Sequence, residues 1–200
     1  MECCSYRYNP YDKAKFEVNA HNWIDMSDED YGVSLLNDCK YGHEVNEHKM
    51  ILTLLKAPIK PDPKSDRGDH YFTYSLYPHA ETWKKAKTLE RGLEINHPLV
   101  PVDIKLEGEL GADNSFITLT SDSMTLEAVK KCEEEDAYII RMVEKKGRSV
   151  DASVKFFAPL TYAAECDLIE RNDVPVDFDG DTINFHATPF EIKNYKVKIK

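Results

Sequence analysis

Histidines, carboxylates and cysteines are where chemistry in this chain would begin. His43-Glu44-Val45-Asn46-Glu47-His48 brackets acidic residues between two imidazoles. A zinc-protease helix needs its two histidines four positions apart, so that both rings share one face. This segment is one residue too long and reads as a solvated hairpin, not a metal site. Asp177, Asp179, Gly180 and Asp181 have the composition of a calcium loop without its spacing or its distant glutamate, and read as a hairpin turn. Cys132-Glu133-Glu134-Glu135-Asp136 is an acidic run of the kind that forms a solvated turn between strands. His70 and His79 flank an aromatic stretch with no obvious partner. The seven histidines show no ligand spacing, and neither a Gly-rich phosphate loop nor a G-x-S-x-G elbow occurs. A glycosidase needs two carboxylates across one sugar site, but 36 Asp and Glu residues allow no pair to be picked. The residues thus assign no catalytic group, metal or cofactor to this chain.

The elements that would position such groups read mainly as strands. Lys15–Asn19 alternates, and Tyr31–Leu36 is rich in β-branched and aromatic residues. Met50–Leu55 is nearly continuously apolar, as a strand buried on both faces would be. Three prolines between Ala57 and Asp69 predict a loop, and the period of two over His70–Tyr77 predicts a strand. Glu81–Leu93 is the single helical stripe, with Trp83, Ala86 and Leu93 on one face and Pro98 beyond it. Strands follow at Ser115–Ser121, Met124–Lys130, Ala137–Glu144, Ser149–Phe157, Tyr162–Ile169, Thr182–Ala187 and Phe190–Ile199. Hairpin loops are expected at Lys145–Arg148 and Asp179–Asp181. Many short strands with one short helix make an all-β chain, a β-sandwich. Residues 1–12 read as a tail or linker remnant and 13–200 as the sandwich domain. A sub-boundary is expected near 98–114, where Pro and Gly cluster around the loop Glu107–Gly111.

The bulk properties exclude some partners. A formal net charge of -10 repels nucleic-acid backbones and anionic membrane surfaces. No run approaches the roughly 20 apolar residues a membrane span needs. The opening residues carry no signal-peptide core, and Cys3, Cys4, Cys39, Cys132 and Cys166 are irregularly spaced. Reduced thiols and a cytoplasmic location are therefore expected. Cys39, Cys132 and Cys166 lie in or beside strands, where cysteine acts as a small hydrophobe. Trp23 and Trp83 are expected in the core.

Several blocks resemble one known family. Trp23-Ile24-Asp25-Met26-Ser27 and Tyr31–Gly42 come first, followed by Leu54–Pro58, Pro61–Pro63, Asp66–His70 and Phe72–His79. Glu127–Glu133, Glu165–Arg171 and Pro189–Lys193 follow in order. Together they resemble the C-terminal region of α-mannosidases of glycoside hydrolase family 38, in its cytosolic-type branch. The resemblance runs from near Tyr11 to the C-terminus.

The resemblance implies a supersandwich-like C-terminal domain of a retaining enzyme that hydrolyses terminal α-mannosides. In such enzymes a zinc ion and a catalytic Asp belong to an N-terminal α/β domain, so zinc is expected there and not in this chain. The chain is then either a cut portion or one product of a split gene, inactive alone. Its partner is that catalytic domain, and it meets mannose-containing saccharides through the parent enzyme. The loop Ala57–Asp69 is the candidate contact that helps complete the active site. Within it Arg67 carries a planar fork suited to a carboxylate or sugar hydroxyls, or to a salt bridge with Asp66 or Asp69 across the turn. Asn37, Asp38, Lys40 and Tyr41 form a second polar cluster, although Asn37 and Asp38 are also turn formers. Two other readings of the chain are a stand-alone carbohydrate-binding module and a structural interaction domain.

Overall fold

The computed structural model describes residues 9–46, 48–103, 108 and 113–200. The chain divides into two units, 1–104 and 105–200. Cys3, Cys4, most of the 1–12 tail, Glu47 and most of the loop Glu107–Gly111 lie outside the described residues. The described end of the tail contributes a one-turn helix, α1 (Pro10–Lys13).

The first unit is two three-stranded antiparallel sheets. One has the order β1 (Val18–Asn19), β4 (Gly42–Asn46), β5 (Lys49–Leu52). The other has the order β2 (Trp23–Ser27), β3 (Tyr31–Asn37), β6 (Tyr74–Ala80). Ile24 pairs with Leu35 across β2 and β3, and both join Val45 in a shared core, with Met26, Met50 and Leu52 packed against it. The opposite face of β2–β3–β6 carries Trp23 and Ser34 and meets helix α2 (Thr88–Asn96). Gly92 allows that approach, because a β-carbon there would lie 3.0 Å from Trp23 Cδ1.

Several expectations for this unit shift. The strand expected over Met50–Leu55 ends at Leu52 and is half-buried, because β5 is an edge strand with only Met50 and Leu52 turned inward. His43 is not in a solvated loop: it lies in β4 with its side chain fully buried. The aromatic strand begins at Tyr74 and includes Pro78, which an edge strand tolerates because its missing N–H faces no partner. The helix does not start at Glu81. Residues 83–87 form turns, and Lys87 adopts the left-handed conformation at φ 58°, which breaks the helical stripe. Trp23 and Trp83 are half-buried and pack at 5.0 Å between ring centroids. Cys39 is exposed, since the chain has already turned out of β3.

The second unit is also a two-sheet arrangement. A three-stranded sheet runs β13 (Thr182–Ala187), β10 (Val150–Phe156), β7 (Ile117–Leu119). A five-stranded sheet runs β12 (Val174–Pro175), β11 (Leu160–Glu165), β14 (Ile192–Ile199), β9 (Tyr138–Glu144), β8 (Met124–Lys131). All pairings are antiparallel. Alternate residues of both sheets, among them Ile140, Met142, Val154, Phe156, Ile183 and Val197, build one apolar core. Each such side chain contributes about 1.5–3 kcal/mol when fully buried. Cys132 and Cys166 pack with Ala137 and Ile139 as free thiols, in the hydrophobe's role expected of them. At the β12–β13 turn Gly180 takes φ 61°, and Asp179 and Thr182 exchange backbone hydrogen bonds of 2.9 and 3.0 Å.

Candidate functional site

The loop from Ala57 to Asp69 is built by its own aspartates and serine. Asp66 Oδ2 accepts the Ala57 N–H at 2.6 Å and so closes the loop at its neck, where Ala57 takes φ 46°. Asp62 Oδ1 accepts the Lys64 N–H at 2.8 Å, and Ser65 Oγ donates to the Pro58 carbonyl at 3.3 Å. The His70 ring reaches the Asp66 carbonyl at 3.0 Å, so His70 does have a partner, four residues back. Arg67 sits at the tip, exposed, with its N–H donated to the Lys64 carbonyl at 3.1 Å. Among the described residues its guanidinium forms no salt bridge: Asp66 is committed to Ala57, and Asp69 does not reach it.

The second cluster is one turn at the end of β3. Asn37 is buried, donates from Nδ2 to the His21 carbonyl at 2.9 Å and accepts the Lys40 N–H at 2.8 Å. Asp38 exchanges hydrogen bonds with Thr73, 3.2 Å from its N–H and 2.9 Å at its carboxylate. The Cys39 thiol and then the Thr73 N–H hold the Asp38 carboxyl below the ordinary carboxylate range. The Lys40 ammonium lies 5.0 Å from the centre of the Phe72 ring. Tyr41 is exposed and packs against His21 at 5.0 Å. The fold therefore brings Asn37–Tyr41 against residues 71–73, just after the Arg67 loop. Asn37 and Asp38 are occupied in holding that turn, while Arg67 and Tyr41 present exposed side chains and Lys40 is half-buried.

A buried polar network in the same unit escaped the sequence reading. His79 Nε2 lies 2.7 Å from Asp25 Oδ2, with both side chains 3% exposed. The other ring nitrogen faces the Glu81 carbonyl at 3.0 Å, so both nitrogens face acceptors. Asp25 also accepts from Ser27 and Ser34, each at 2.6 Å. Ser34 spends its proton there, so the Thr88 hydroxyl donates to it at 2.7 Å. The partner of His79 lies 54 positions away in sequence, beyond any local pattern. The one available signal was Gly32, which faces His79 in register and leaves room for the ring: a β-carbon there would lie 2.3 Å from Cε1.

In the second unit the acidic run is more than a solvated turn. Lys196, whose side chain is 4% exposed, joins Glu135 at 3.0 Å and Asp173 at 2.9 Å. Burial works against its charge, but the two carboxylates outweigh that and raise its pKa. Glu170 is lowered to about 2, first by Lys130 and then by the Glu133 N–H. Arg141 donates to Asn194 and to the Leu168 carbonyl. These bonds clasp the 132–136 turn to the 167–173 loop. Glu144 caps the Lys145–Arg148 hairpin, accepting N–H groups of Lys146, Gly147 and Phe190 at 2.8–3.0 Å. Burial raises its pKa, and those N–H groups more than reverse the effect. Among the described residues no three His, Cys, Asp or Glu side chains converge as a metal-ligand set. Nor is any described helix long and apolar enough to cross a membrane.

Two linked β units, one with a loop presenting a free arginine, define a β-sandwich polypeptide of the kind found in glycosyl hydrolases. The chain belongs to family 38 of those enzymes, as their C-terminal domains. Residues 5–64 match the glycosyl hydrolases family 38 C-terminal domain, and residues 123–195 match that family's C-terminal beta sandwich domain. It is 36% identical over 166 residues to alpha-mannosidase 2C1 of Homo sapiens, covering 82% of this chain and 16% of that protein. It is 32% identical over 193 residues to alpha-mannosidase G of Dictyostelium discoideum, covering 93% and 18%. The fold is similar to the crystal structure of an alpha-mannosidase from Enterococcus faecalis V583, with a TM-score of 0.71, 17% identity, and coverage of 91% of this chain and 21% of that one. The chain thus spans under a fifth of the length of these curated relatives.

Proposed function

We propose that this chain is the accessory C-terminal portion of an α-mannosidase, inactive on mannosides alone, that packs on an N-terminal zinc-dependent catalytic domain and helps complete its active site. The observation that carries this reading is one of proportion. Nearly the whole chain matches proteins named alpha-mannosidase, yet it accounts for only 16–18% of their length. The substrates are terminal α-mannosides, met through the joined enzyme. The net charge of -10 suits a neutral sugar partner and disfavours nucleic acid and anionic membrane. Free thiols at Cys39, Cys132 and Cys166 favour a cytoplasmic setting.

Arg67 is the proposed point of contact. Its guanidinium is exposed and has no acidic partner among the described residues, while Asp66 spends its carboxylate holding the loop that presents it. Exposed Tyr41 and half-buried Lys40 supply a second patch beside residues 71–73. In the joined enzyme Arg67→Ala is expected to lower aryl α-mannoside turnover about tenfold or more, with the unfolding midpoint unchanged, since an arginine hydrogen-bonding a charged or sugar group contributes about 1.5–3 kcal/mol. Asp66→Ala should lower both, because it opens the loop neck. Unchanged turnover in Arg67→Ala would remove Arg67 from the account.

A further inference from the structure

The outer face of the β13–β10–β7 sheet carries a hydrogen-bonded relay that the mannosidase reading does not use. Asp151 and His186 are cross-strand partners in register, and Ser149 lies two residues before Asp151, on the same side of the strand. His186 Nδ1 lies 2.7 Å from Asp151 Oδ1, and His186 Nε2 lies 2.9 Å from Ser149 Oγ. Bonded to the carboxylate, Nδ1 must be the protonated nitrogen, which leaves Nε2 as the acceptor for the serine O–H. That is the connectivity of an activated serine: nucleophile, base, and a carboxylate that fixes the tautomer of the base.

The surroundings admit a substrate. An open groove of about 530 Å³ runs along the relay, lined by Thr120, Asp151, Ser153, Asn184 and His186. Ser149 and His186 are exposed, and Ser149 reaches the groove through its 2.9 Å contact with the lining residue His186. Asn184 lies two residues before His186 on the same face, and among the described residues its carboxamide spends no hydrogen bond on the protein. It is a donor available to a developing oxyanion. Among the described residues no lysine or arginine lines the groove, so the fit is to an uncharged acyl group and not to an anion.

We propose that Ser149 is an accessible, activated nucleophile that accepts the acyl group of short, uncharged esters. Ser149 Oγ attacks the ester carbonyl carbon as its proton passes to His186 Nε2. The Oγ–C bond forms and the carbonyl π pair moves onto oxygen. Collapse of that oxyanion breaks the bond to the leaving alkoxide or aryloxide, which takes the proton from His186. Water then attacks the acyl-serine, giving up a proton to His186, and Ser149 leaves as the restored hydroxyl with release of the carboxylic acid. Ser149 and His186 are the catalytic residues, and Asp151 is a positioning residue.

The test uses p-nitrophenyl acetate on the full 200-residue chain, with acetylated peptides quantified by mass spectrometry over time. Ser153 serves as the internal reference, since it shares the face but bonds Thr120 and no histidine. Ser149 should acetylate on the order of 100-fold faster than Ser153, the low end of what a positioned base supplies. His186→Gln and Asp151→Asn should each bring the Ser149 rate down towards that of Ser153 with the circular dichroism spectrum retained. Unfolding wild type in urea should remove the difference as well, which separates loss of the relay from loss of fold. The proposal is overturned if folded Ser149 reacts no faster than Ser153, or if either variant leaves its rate unchanged.

Discussion

The two units reach stability by different routes. The second (residues 113–200 as described) closes two sheets over a continuous apolar core and places its charged clasps, Lys196 with Glu135 and Asp173, at the rim. The first has a three-residue buried apolar cluster and, on the other face of its sheet, the ionic network of Asp25, His79, Ser34 and Thr88. Apolar packing tolerates small changes of shape, whereas a buried ion pair demands both members. The unit with the sparser core also carries the long loop with Arg67. That loop is ordered by local hydrogen bonds to Asp62, Ser65 and Asp66 and not by burial.

Breaking the network should therefore hurt most. Both tryptophans lie in the first unit, so their fluorescence follows that unit during chemical unfolding. His79→Ala leaves Asp25 buried beside two serines and without its imidazole partner, and should cost about 3–5 kcal/mol. A midpoint unchanged within error would show that the pair contributes nothing. Next in size, Gly32→Ala drives a methyl into the His79 ring and should cost about 1–3 kcal/mol, the range of overpacking. The double variant Gly32→Ala/His79→Ala should then cost less than the sum of the two, and strict additivity would contradict the contact.

The smallest expected effect is in acid. Glu170 and Glu191 both have folded pKa values lowered to about 2 from 4.5, by Lys130 and by the Thr188 N–H respectively. Carboxylates depressed on folding stabilise above the unfolded value and lose that contribution as protons bind. The second unit should therefore lose stability gradually as the pH falls from 4.5 to about 2. These groups are at the rim, so the loss should be modest. In Lys130→Ala the slope through that window should flatten, and a slope equal to wild type would dissociate Glu170 from acid sensitivity.

The sequence revealed strands better than it revealed partners. Period-two alternation located the second unit closely, with Thr182–Ala187 at its observed bounds. It failed where a tertiary feature overrode the local pattern. Lys87 in the left-handed region ended a helical stripe that looked continuous from Glu81, and the edge position of β5 halved the burial that its apolar run suggested. The site residues divided by kind. Asn37 was legible as a turn former because its bond to the Lys40 N–H is local, whereas the partner of Asp38, Thr73, lies 35 positions away. Asp25 with His79, and Ser149 with His186, join across strands far apart in sequence, and no spacing rule encodes such pairs.

The proposal that this chain completes an α-mannosidase without hydrolysing mannosides by itself is tested most directly by reconstitution. Aryl α-mannoside hydrolysis should be absent from the purified chain with zinc supplied. It should appear when the N-terminal remainder of a family 38 relative is added in trans or fused in cis. Zinc-dependent turnover by the chain alone would contradict the account, as would full turnover by the N-terminal part with this chain left out.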